Sequence, residues 1–292
     1  TGNAGARPSA MEAVRLKVKT AMMMKRCGRG LAALLLLWVI SLPVASGEVA
    51  DKRACREGEP QCVHFVIQEM ERRYRKLAKD CDHNAIFSLI YLRTTEKFRD
   101  TVDSTGYSDP SSIFRQDAIF ADYYFRAYDA YHKGKGPVPP AWQIAFDAAA
   151  QRNVISGGDG LLGINAHINR DLPFVLFELD QQGHPVSRED HTLVNNVLAQ
   201  VMVDAEVAAR LDPTYDDNPN PDILPQIFFW RDRAYNNYLR LRDAPTPEAR
   251  AAVAAEIELI GSLTAAAIVQ TTALPPGSDS SARDSYCAEN RK

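Results

Sequence analysis

Residues 157–179 read Gly157-Gly158-Asp159-Gly160-Leu161-Leu162-Gly163-Ile164-Asn165-Ala166-His167-Ile168-Asn169-Arg170-Asp171-Leu172-Pro173-Phe174-Val175-Leu176-Phe177-Glu178-Leu179. Leu161, Leu162, Ile164, Ile168, Leu172, Val175 and Leu176 cover nearly every face of a helix drawn through this stretch, which predicts a central, buried helix over 160–179. Polar residues nevertheless fill its middle. Asn165, His167, Asn169, Arg170 and Asp171 must each be hydrogen-bonded, paired or bound to something, because burying them without partners costs several kcal/mol. His167 and Asp171 are four apart and share a face, as do Asn165 and Asn169. Pro173 has no N–H for the Asn169 carbonyl and its ring pushes that carbonyl away, so a distortion is expected there.

The flanking sequence has the same helical period. Val63, Val66, Ile67, Met70, Tyr74 and Leu77 recur at three- and four-residue steps, and further helices are expected over 85–102, 112–132, 141–152, 187–211 and 223–241. A last helix starts at a Thr246 cap, with Pro247 at its first position and Glu248 at its positive end, and runs to about 272. The aromatic run Phe120, Tyr123, Tyr124, Tyr128 and Tyr131 is read as core rather than as a ligand platform. No stretch alternates with period two between hairpin turns. The expected fold is all-α: a single compact bundle of about eight helices over 47–273, with a central buried polar helix and an extended C-terminal tail over 274–292.

Residues 1–46 read differently. Lys25, Arg26 and Arg29 precede the uncharged run from Leu31 to Leu42, then Pro43 and the small residues Val44 to Gly47. A basic segment, a short apolar run and a small-residue cleavage site predict a secretory signal peptide, and twelve residues are too few to span a bilayer. The chain is therefore expected to be secreted or periplasmic, with no stable membrane span after cleavage. Of 34 basic and 37 acidic residues, seven and one fall in 1–46, which leaves 27 and 36 and a net charge of −9. Such a balance excludes nucleic acid as an expected partner. Cysteine usage agrees with export: with Cys27 in the leader, Cys55, Cys62, Cys81 and Cys287 remain, and an even number in an oxidising compartment suggests two disulfides. Cys287 is expected to pair with Cys55, Cys62 or Cys81. Cys55–Cys62 with Cys81–Cys287 is one solution and a Cys62–Cys81 bond is the main alternative. A zinc site built on these cysteines is disfavoured by the wide Cys55-x6-Cys62 spacing.

The helix after the central one carries Asp190, His191 and Asn195, and the connection over 180–186 is short enough to make the two helices antiparallel neighbours. Facing stripes would then gather His167, Asp171, His191 and Asn195. Two histidines, a carboxylate and an open position form a common catalytic metal environment. This predicts a metal-dependent hydrolase using a divalent ion such as zinc, with His167, His191 and Asp171 as ligands. Asp171 or Asp190 would be the catalytic carboxylate, and Asn165, Asn169 and Arg231 would contact substrate. The alternative is a non-enzymatic binding protein for a lipid or isoprenoid-like ligand, in a pocket lined by Phe120, Tyr124, Phe174 and Phe177. A third possibility is a purely structural hydrogen-bond network.

The block Gly163-Ile164-Asn165-Ala166-His167-Ile168-Asn169 followed by Asp171-Leu172-Pro173 resembles the hallmark of an uncharacterised bacterial, actinobacterial-type domain family of unknown function. Ile86 to Thr95, Asp190 with Val194-Asn195, and Trp230-Arg231 with Ala234-Tyr235 fit the same family. The resemblance covers most of residues 80–242. It implies a helical protein and carries no activity.

Overall fold

The computed structural model describes residues 49–134, 136–201, 204–215 and 223–291. The leader expected over 1–46 lies outside them. Among the described residues the chain is helical, without strands; one isolated bridge joins Val154 to Ala273. The helices, in order, are α1 (Arg53–Glu57), α2 (Gln61–Lys79), α3 (Ala85–Thr105), α4 (Pro110–Lys133), α5 (Pro140–Gln151), α6 (Ser156–Asn165), a π-helical segment (Ala166–Asp171), α7 (Leu172–Gln181), α8 (Arg188–Leu198), α9 (Asp204–Arg210), α10 (Ile223–Asp243), α11 (Pro247–Thr272) and α12 (Ser281–Asn290).

Local chemistry sets the ends. Asp109 accepts from the Ser112 N–H ahead of Pro110, and Thr246 accepts from the Ala249 N–H ahead of Pro247, which is the expected cap. The α6–π–α7 rod is central and touches α3, α4, α5, α10 and α11. Gly163 is one reason it can approach so closely: a Cβ there would fall 2.2 Å from Phe87 Cγ of α3. The aromatic stripe of α4 joins the core, with Tyr124 and Phe125 buried and Trp142 of α5 stacked on Phe146 at 5.1 Å.

Two expectations are corrected. The helix expected over 187–211 is broken after Leu198. The break lets α9 turn so that Val207 is buried and Glu206 meets Arg93 of α3 through two bonds of 2.7 Å. The tail is not extended throughout, because Ser281–Asn290 forms α12. The helix is tied down by a Cys81–Cys287 disulfide, while Cys55 pairs locally with Cys62. Polar contacts hold it as well: Arg283 to Asp159 at 2.7 Å, His83 to Asp284 at 2.9 Å and Arg152 to Asp284 at 2.6 Å. A helix with few large apolar residues is thus anchored by one covalent bond, two arginine–aspartate contacts and a hydrogen bond to His83, whose pKa burial lowers to about 4, which keeps the ring neutral.

Helix α11 is long and apolar enough to cross a bilayer, by length and composition alone. It lies against α5, α6, the π segment and α10, with Leu259 and Leu263 exposed on its outer face.

Candidate functional site

Pro173 distorts the central rod as the sequence demands. The Leu172 N–H reaches back five residues to the His167 carbonyl, and Ala166–Asp171 widens into a π turn. This turn carries the polar block. His167 is 3% exposed and Asp171 is fully buried, and the His167 ring lies flat on Phe120 of α4, with centroids 3.5 Å apart and planes at 4°. Tyr91 of α3 packs edge-on against the same ring at 4.5 Å.

Asp171 orients the imidazole. His167 Nδ1 lies 3.1 Å from Asp171 Oδ2, which also accepts from Trp142 Nε1–H at 2.8 Å. The other oxygen, Oδ1, accepts from Arg170 at 2.9 Å, and Arg170 continues to Glu258 of α11 at 2.7 Å. Burial works against the Arg170 charge, but Asp171 and Glu258 hold its pKa above the ordinary arginine value. Held this way, Asp171 is an acceptor of the Nδ1 proton, which leaves Nε2 with its lone pair. Burial lowers the His167 pKa, with Asp171 opposing, so the neutral ring is favoured at neutral pH.

His167 Nε2 is buried and has no hydrogen-bond partner. Nor do Tyr91 Oη and Asp117 Oδ2. Tyr91 is against the His167 ring, and Asp117 is on α4 one turn before Phe120, close enough to Tyr91 to raise the phenol electrostatically. Burial pushes the Asp117 carboxyl up to about 8, so it is mostly protonated at neutral pH and can donate. The His167 ring thus meets Tyr91, a weakly acidic O–H donor, and the Asp117 carboxyl lies on the side of Tyr91 at the α3–α4 interface.

Asn165 and Asn169 form a separate chain. Asn165 Nδ2 donates to the Gly261 carbonyl of α11 at 2.9 Å, Asn169 Nδ2 to Asn165 Oδ1 at 2.8 Å, and Arg233 to Asn169 Oδ1 at 2.7 Å. This ladder ties α10 and α11 to the rod. His191, Asn195 and Arg231 form a third group. The main helical neighbours of α8 are α3 and α10, and α10 also packs on α7, so the expected face-to-face pairing of the two helices is replaced by α10. His191 Nε2 meets the Arg231 carbonyl at 3.0 Å, while Arg231 donates to the His191 carbonyl at 2.7 Å and to Asn195 Oδ1 at 2.8 Å. Asp190 accepts from Ser108 N–H, Ser108 Oγ–H and Asp109 N–H at 2.8, 2.8 and 3.1 Å, which fixes the α3–α4 turn.

Among the described residues no three His, Cys, Asp or Glu side chains gather in a way that could hold a metal ion. Both Asp171 oxygens already have donors, and His191 belongs to the α8–α10 contact. The four rings expected to line a lipid pocket have separate uses: Phe120 covers His167, Tyr124 packs with Phe87 and Trp142, Phe174 lies under Arg170, and Phe177 under Arg250. A groove of about 650 Å3 lies instead between α8 and α10, lined by Arg188, Glu189, Thr192, Leu193, Asn195, Asn196 and Phe228.

Sequence reasoning missed Tyr91, Asp117 and Trp142. A carboxylate midway between Phe114 and Phe120, on the apolar stripe of α4, was the available signal for Asp117. Tyr91 and Trp142 give no such signal, because an aromatic residue on a buried helix face reads as packing.

Among curated proteins and among solved structures alike, no match was found. The family model describing a "family of unknown function (DUF5995)" matches residues 63–271, from the start of α2 almost to the end of α11 and including every residue of the polar block. On that extent of match, the chain belongs to this family of unknown function, as the Gly163–Pro173 block led us to expect.

Proposed function

We propose that the protein is an exported hydrolase in which the His167–Asp171 pair is the general base. The carrying observation is the buried, unpartnered His167 Nε2, whose lone pair is set by the Nδ1–Asp171 contact. In this reading a water gives its proton to Nε2 while its oxygen attacks an acyl or phosphoryl centre. Tyr91 donates a hydrogen bond to the oxygen that gains charge, the protonated Asp117 gives its proton to the leaving group, and the proton taken up by His167 Nε2 then returns to the Asp117 carboxylate through water. Trp142 and Arg170 act as positioning residues through Asp171. Zinc or another divalent metal would meet one unpartnered nitrogen there, His167 Nε2, and the acid–base scheme works without it. Export rests on the basic–apolar–small pattern of residues 25–47 together with the two disulfides.

The test has two parts. NMR of the imidazole nitrogens should show the Nδ1–H tautomer, with Nε2 unprotonated. A panel of nitrophenyl acyl and phosphate esters should be turned over by the intact chain, with His167→Gln and Asp171→Asn each slower by roughly a hundredfold or more. A proton on Nε2, or turnover unchanged in His167→Gln, ends the proposal. Metal analysis of protein purified without a His tag, beside His167→Ala, decides the metal-dependent version. A second reading, a non-enzymatic carrier of a lipid or isoprenoid-like ligand, is favoured by the α8–α10 groove with Leu193 and Phe228 in its wall. Native mass spectrometry of fresh protein tests it: a co-purifying hydrophobic mass supports a carrier, and bare protein counts against one.

A further inference from the structure

Arg231 is 3% exposed, yet among the described residues it forms no ion pair. Its two donated bonds go to neutral oxygens, the His191 carbonyl and the Asn195 side-chain amide. Together with the bond from His191 Nε2 back to the Arg231 carbonyl, they staple α8 to α10. A staple of this kind needs donors and does not need a net charge. Burying a guanidinium without a carboxylate is costly, and buried cations are ordinarily paired. Two more polar atoms in the neighbourhood are buried without partners: Tyr107 Oη and His191 Nδ1. Tyr107 precedes Ser108 and Asp109, the residues Asp190 holds, so the Tyr107 turn and Arg231 are tied to the same stretch of α8, residues 190–195. The two groups act on each other electrostatically: burial pushes Tyr107 up to about 12, with the Asp190 carboxylate adding to it and Arg231 and the Thr105 hydroxyl opposing, and burial takes Arg231 down to about 10 with Tyr107 opposing. Asn195, which holds Arg231 Nε, lies in the wall of the α8–α10 groove beside Leu193 and Phe228.

We infer that Arg231 and Tyr107 form a binding site for a small oxyanion, the charged head group of a ligand whose remainder lies in the α8–α10 groove. The guanidinium supplies the charge, the Tyr107 hydroxyl donates to a ligand oxygen, and His191 Nδ1, its other nitrogen already donating, accepts from a protonated ligand oxygen or hydroxyl. The site is separate from the His167 group, and its oxyanion step does not depend on either functional reading. For the carrier reading it names the charge of the head group.

The experiment is calorimetric titration of the full, disulfide-intact chain with inorganic phosphate and, separately, with hexanoate, at constant ionic strength set by chloride. We expect saturable one-to-one binding of at least one of the two; phosphate alone assigns a phosphoryl head group and hexanoate alone a carboxylate. Arg231→Gln keeps amide donors for the staple and should weaken binding roughly tenfold or more, and Tyr107→Phe several-fold. The Arg231 Nε–H resonance should shift on titration. If Arg231→Gln does not fold, Tyr107→Phe and the resonance carry the test. Saturable binding of neither anion overturns the inference, as does binding equally tight in the available variants.

Discussion

Removing each disulfide separately should give unequal losses of stability. Cys81 and Cys287 are 206 residues apart, whereas Cys55 and Cys62 are seven apart. If a crosslink acts by restricting the unfolded chain, the long closure stabilises by about 5 kcal/mol and the short one by about 2 kcal/mol, a difference of about 3 kcal/mol. The native side of the balance should change little on losing the long bond, because α12 keeps the Arg283–Asp159, His83–Asp284 and Arg152–Asp284 contacts. Burial outweighs Arg283 and pushes Asp159 up to about 7, so the comparison is made at pH 8, where the carboxylate is ionised and its buried pair with Arg283 is little screened by solvent. The perturbation is the double variant Cys81→Ser/Cys287→Ser, compared with Cys55→Ser/Cys62→Ser, so that neither leaves a free thiol. Urea unfolding followed by far-UV circular dichroism gives the free energies, and hydrogen exchange over residues 281–290 reports whether α12 stays docked. A loss for the long pair equal to or below that for the short pair, with 281–290 still protected, would refute the entropic argument. Unprotected 281–290 would instead show that the ion pairs cannot hold α12 without the covalent bond.

Three further outcomes are expected. Gly163→Ala should cost about 1–3 kcal/mol in urea unfolding, because its methyl falls on the Phe87 ring, whereas Gly157→Ala, with open space around it, should be neutral or stabilise by up to about 1 kcal/mol. Asp117 has a folded pKa of about 8, above its unfolded value. The stability it contributes is therefore complete below the ordinary carboxylate range and lost as pH rises through 8; Asp117→Asn should raise the melting temperature at pH 9 and leave it nearly unchanged at pH 4. Asp190→Ala removes the acceptor for three donors at the α3–α4 turn and should destabilise by about 1–3 kcal/mol without altering the His167 tautomer, checked by thermal unfolding and by imidazole NMR.

The sequence by itself determined the all-α class, the position of nearly every long helix, the Thr246 cap, the burial of the Asn165–Asp171 block and the distortion caused by Pro173. These are local properties: hydrophobic period, cap chemistry and a missing N–H act within one or two turns, whatever the surroundings. The even cysteine count likewise implied crosslinking, but left the pairing open. Only the tertiary structure chose Cys81 for Cys287, because α12 docks beside Cys81 through charged contacts that have no period to read. The same limit applies at the candidate site. His167 and Asp171 share a helix and could be paired from spacing alone, but His191 was placed beside them on the strength of a short connection. A short connection brings two helix ends together; it does not decide which helices face each other. Buried apolar area decides that, and α10, with Trp230, Ala234, Tyr238 and Leu241 buried, packs on both α7 and α8. The partners of His167 come instead from α3, α4 and α5. Tyr91, Phe120 and Trp142 reach it across helix interfaces, where sequence distance carries no information.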